Sequence, residues 1–115
     1  MKQLLLTSIL LAAGVATAHA DCKPPDGAIQ IPNGLTATLG EMKAAQGAVK
    51  AYNAAVTEFT ACLQQEQDAK VAAGGDKVKL QAEYAKRNDV EVDKLQKIAD
   101  KFNEELRAYK GRGTG

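Results

Sequence analysis

From Met42 to Glu66 the chain reads MKAAQGAVKAYNAAVTEFTACLQQE. Steps of three and four alternate through Met42, Ala45, Val49, Tyr52, Val56, Phe59, Leu63 and Glu66, and all but the last are apolar. This is a heptad seam along one side of a helix. A lone helix cannot bury such a stripe against itself, so the chain must supply a partner.

The partner follows directly. A second run of three- and four-residue steps passes through Val78, Gln81, Ala85, Asn88, Val92, Leu95, Ala99, Phe102, Leu106 and Tyr109, with Tyr84 and Ile98 widening it. Between the two runs lies Gly74-Gly75, a poor place to propagate a helix and a good one to cap it, and then Asp76, a favourable N-cap. Upstream, Thr38-Leu39-Gly40-Glu41 matches a capping box. The expectation is an all-α fold, an antiparallel two-helix hairpin of coiled-coil character, with helices over about 39–73 and 77–110. Folding at the glycine pair predicts Phe59 near Val92, Tyr52 near Leu95 and Ile98, and Met42 near Leu106. Residues 111–115 read as a disordered tail.

Residues 21–37 cannot join either helix. Three prolines and two glycines in DCKPPDGAIQIPNGLTA favour an extended arm, with Pro32-Asn33-Gly34 as its terminating turn. Ile29 and Ile31 alternate with Gln30 and can face one surface. A second stripe on the first helix, Ala44, Ala48, Ala51 and Ala55, lets another backbone approach closely. These four residues are the candidate interface. Its occupant is either the arm or a second copy in a weak homodimer.

Residues 1–20 read as a signal peptide: Lys2, an apolar run from Leu4 to Ala18, and the small-x-small site Ala18-His19-Ala20. Asp21 before Cys22 argues against a lipoprotein. The expectation is an exported protein, periplasmic or extracellular, with no integral membrane segment once the signal is removed. Cleavage would leave 95 of 115 residues, one small domain. Loss of Lys2 reduces the 15 basic residues to 14, against 14 acidic ones, so overall composition points neither to nucleic acid nor to an anionic membrane. Two cysteines remain in an oxidising compartment, which predicts a Cys22–Cys62 disulfide. The arm is long enough to run back along the first helix to reach Cys62.

His19 and Ser8 are the only histidine and the only serine, and both lie in the signal. Their removal takes away the neutral-pH proton shuttle, imidazole ligation and serine nucleophiles. Asp89, Glu91 and Asp93 lack the glycine and terminal glutamate of a calcium loop, so they read as a solvated face. Glu58, Glu66 and Asp68 likewise read as surface carboxylates. Asn88 on the seam reads as a register or kink residue. No enzyme activity and no cofactor are expected.

The segments AVKAYNAAVTEFTACLQQE and VDKLQKIADKFNEELRAYK resemble uncharacterised small exported helical-hairpin proteins of proteobacteria, over roughly Gly34 to Lys110. The resemblance implies compartment and helical architecture, and carries no activity. The expected function is a non-enzymatic binding or assembly module of the cell envelope, presenting a helical face to a protein partner or to itself. The alternatives are a secreted inhibitor that docks on an enzyme, or a surface-active amphipathic protein that associates with membranes.

Overall fold

The computed structural model describes residues 21–113. The signal-peptide expectation for residues 1–20 lies outside the described residues, as do the last two positions of the tail. Two helices, α1 (Leu39–Ala72) and α2 (Lys77–Gly111), form an antiparallel hairpin, with no strand among the described residues. At 34 and 35 residues each is about 50 Å long.

Local chemistry sets the helix ends. The Thr38 hydroxyl accepts from the Glu41 amide (3.1 Å), and the Glu41 carboxylate accepts from the Thr38 amide (3.0 Å), closing the capping box. Asp76 accepts from the Lys79 amide to start α2. At the end of α1, Gly74 takes a positive φ of 97°. The Gly75 amide donates to the Lys70 carbonyl and the Gly74 amide to the Val71 carbonyl, a Schellman stop that only glycine adopts without strain. Four residues therefore join the helices, and α2 has to return alongside α1.

Met42, Ala45, Tyr52, Val56, Phe59 and Leu63 are all buried, so the α1 seam is the core face. The α2 seam is different in its first half. Val78 is 76% exposed and Val92 40%, and Gln81 and Ala85 also face solvent. The buried positions are instead Tyr84, Glu91 and Phe102, with Leu80, Leu95 and Ile98 half-buried. Phe59 therefore packs with Leu63 and Tyr84, while its expected neighbour Val92 faces largely outward. The large Tyr84 ring fills the space beside the disulfide, and burying it outweighs burying the smaller Val78 and Ala85. From Leu95 onward the observed and expected seams coincide, ending in a cluster of Met42, Ala45 and Phe102 with Leu106 and Tyr109.

Gly111 and Arg112, at the start of the expected tail, are ordered by specific contacts. The helix includes Gly111, and the Arg112 guanidinium donates to the Ala37 carbonyl and stacks on the Tyr109 ring at 4.3 Å. A charge-assisted bond and a cation–π contact hold this segment where the sequence suggested disorder.

Candidate functional site

The arm runs antiparallel to α1 and is tied at both ends. At the far end Cys22 and Cys62 form a disulfide, with Cα atoms 5.8 Å apart. Arg87 donates to the Cys22 carbonyl (3.2 Å), lies over the Tyr84 ring at 5.1 Å, and faces the buried Glu66 Oε2 at 3.8 Å. Glu66 is thus one member of an ion cluster with Arg87 and Lys70, not a free surface carboxylate.

At the near end the chain turns over Asn33, whose carbonyl accepts from the Ala37 amide. The Gly34 amide donates to Glu105 Oε2 at 2.7 Å. A Cβ at Gly34 would lie 1.9 Å from the Glu105 carbonyl oxygen, so only glycine lets the arm approach the α2 backbone this closely. The Gly34 amide, and then the Lys101 ammonium 3.0 Å away, hold the Glu105 carboxyl below the usual carboxylate range.

Between its ends the arm is lightly held. Lys23, Pro24, Asp26, Gly27 and Ala28 are exposed, and the backbone bond there is local, from the Ile29 amide to the Gly27 carbonyl. Gly27 passes over the Tyr52 hydroxyl. Ala28 to Pro32 roof a crevice of about 450 Å³ whose floor includes Ala44, Ala45 and Ala48. Of the candidate interface, Ala44 and Ala48 thus line this crevice beside the arm, Ala44 remaining exposed and Ala48 half-buried. Ala51 is exposed and Ala55 half-buried. Ile31 is the arm's anchor, packed against the Met42–Phe102 cluster.

Beneath the arm is a feature that sequence reasoning missed. Glu91 is 3% exposed. Its Oε2 accepts from the Tyr52 hydroxyl (3.2 Å) and its Oε1 from Lys94 (3.2 Å). The assignment of Asp89, Glu91 and Asp93 to one solvated face therefore fails at Glu91, although Asp93 pairs outward with Lys97 at 2.9 Å. A buried carboxylate persists only when paired, and Tyr52 directly across the seam provides for it. The signal available was Tyr52 and Glu91 facing each other once the hairpin is folded at Gly74-Gly75. Burial, reinforced by the neighbouring Glu91 charge, raises the Tyr52 hydroxyl above its ordinary value, which makes it a poorer acid. Asn88 makes a related contact, its Oδ1 accepting from Thr60 at 2.6 Å and fixing register between the helices. Helix α2 runs through it unbroken.

Among the described residues, no group of three or more histidine, cysteine, aspartate or glutamate side chains is placed to hold a metal ion. Among the described residues, no helix is long and apolar enough to cross a membrane. The arrangement can present a shaped, partly apolar surface, while Arg87, Glu91 and Glu105 hold the arm and the helices together. Comparison with known proteins finds no matching family model, no matching curated protein and no matching solved structure.

Proposed function

We propose that this protein is an exported, non-enzymatic binding or assembly module of the cell envelope, whose working surface is the arm-lined face of α1. One observation carries the reading. The arm is tied at both ends yet leaves a crevice of about 450 Å³ over Ala44 and Ala48, beside an exposed Ala51. A half-covered apolar face on a rigid rod offers a docking surface with little ordering left to do on association. The disulfide supports an oxidising compartment. An inhibitor working through a protruding arm draws no support from an arm secured at Cys22 and at Gly34.

The test places a photo-activatable cross-linker at Ala51 in cells exporting the protein, with Val78 as the control site. Specific adducts at Ala51, either with a second copy or with one envelope protein, and their loss in Ala55→Glu, are the expected result. Equal labelling from Val78 would remove this face as the working surface. Light scattering at high micromolar concentration separates the homodimer from a different partner.

A further inference from the structure

The open end of the hairpin, opposite the Gly74-Gly75 turn, combines features that the arm-covered face does not share. Leu35 and Leu39 are 63% and 54% exposed, and Leu39 borders a notch of about 300 Å³. Met42, Phe102, Leu106 and Tyr109 line that notch, and Lys43 and Lys110 flank it. It lies on the other flank of the α1 seam from the crevice beside the arm, which α1 lines on that side with Glu41, Ala44 and Ala48. The Arg112 stack and its bond to Ala37 secure the Tyr109 wall.

Charge is segregated to this end although the chain as a whole is nearly neutral. From Leu106 to Gly113 there are three basic residues and no acidic one. Lys43, Arg107 and Lys110 enter no ion pair among the described residues. Of the nearby carboxylates, Glu104 and Glu105 share Lys101, Glu105 also accepts from the Gly34 amide, and Glu41 accepts from the Thr38 amide. The other exposed aliphatic side chains are Val78, Val90 and Val92. Scattered single valines are ordinary surface, whereas an exposed Leu39 on an apolar notch rimmed by unpaired lysines, with an exposed Leu35 in the turn just before it, makes an amphipathic docking end.

We infer that this end docks on an anionic phospholipid surface. Leu35 and Leu39 enter the headgroup–acyl boundary, an acyl segment occupies the notch, and Lys43 and Lys110 meet the lipid phosphates. Charge complementarity selects the lipid class, and the helices need no rearrangement. This surface is separate from the arm-lined face, so it stands independently of the function proposed above.

The experiment uses protein purified from the exported fraction. It is floated with vesicles of phosphatidylglycerol and phosphatidylcholine in equal parts, and with phosphatidylcholine alone. Binding is expected to the anionic vesicles only, and to weaken with added sodium chloride. Lys43→Ala with Lys110→Ala lowers partitioning by about 25-fold, at about fivefold per lysine. Leu35→Asn with Leu39→Asn lowers it by about tenfold or more. Val78→Asn leaves it unchanged, and far-ultraviolet circular dichroism shows that the variants keep their helices. Three results would overturn the inference. They are no binding to anionic vesicles at low salt, a Val78→Asn loss equal to that of the leucine pair, or displacement by sodium phosphate at matched ionic strength, which would mark a small-anion site.

Discussion

Removing the Cys22–Cys62 bond by Cys22→Ala with Cys62→Ala tests whether the arm depends on its covalent tie. The bond closes a loop across a sequence separation of 40. On the chain-entropy account, losing that constraint on the unfolded chain costs about 4 kcal/mol at 25 °C. Little else offsets it, because Lys23 to Ala28 is mostly exposed and makes no long-range backbone hydrogen bond. A small domain has about 5–15 kcal/mol in total, so the loss is a large share. The folded helices should persist, since the Met42–Phe102 cluster and the Gly34–Glu105 contact do not involve the bond. The assay is urea unfolding followed by circular dichroism. At a slope of about 2 kcal/mol/M, the midpoint falls by about 2 M. Hydrogen exchange should show faster exchange at Lys23 and at Asp26 to Ala28 and little change in α1 before Val56. A midpoint shift under about 0.5 M would refute the reasoning, because the unfolded chain would then gain no freedom from losing the bond.

Three further outcomes follow from particular contacts. Gly34→Ala should destabilise by about 1–3 kcal/mol or more, because its Cβ meets α2 backbone that cannot swing aside; thermal unfolding measures this, and an unchanged midpoint would contradict the arm's seat on α2. Tyr84→Ala should cost about 3–5 kcal/mol and Val78→Ala less than about 0.5, a contrast that reports which face of α2 is buried. Stability should respond to pH at both extremes. Glu105 is lowered in the folded state, so its contribution is present above the ordinary carboxylate value and lost as pH falls through the folded one; Glu105→Gln flattens that acid limb. Tyr52 is raised, so its contribution is intact below about pH 10 and lost as pH climbs through the folded value; Tyr52→Phe removes that alkaline limb.

Much of the candidate site is legible in the sequence. The cysteine pair, the arm and the alanine positions on α1 follow from cysteine count, proline density and helical spacing. Glu91, Arg87 and Gly34 were not legible in the same way. Each matters through a partner 39 to 71 residues away, and the local pattern around each is that of an ordinary helix surface or turn. Glu91 is the clearest case. Between Asp89 and Asp93 it looks like one more solvated acid, and the Tyr52 hydroxyl across the seam together with the Lys94 ammonium makes its burial tolerable.

The sequence by itself determined the helix ends, because Thr38, Glu41, Gly74 and Asp76 act on backbone groups within a few residues of themselves. It also determined the α1 seam, where the apolar steps are uninterrupted. The rotation of the first half of α2 was decided only in the tertiary structure. There the apolar residues support two faces, one through Val78, Ala85 and Val92 and one through Leu80, Tyr84 and Leu95. Spacing cannot rank those faces. Packing can, because one of them buries Tyr84 against Phe59, Leu63 and the disulfide, and seats Glu91 on Tyr52. The seat of the arm was decided the same way, by the one glycine that could let it touch α2.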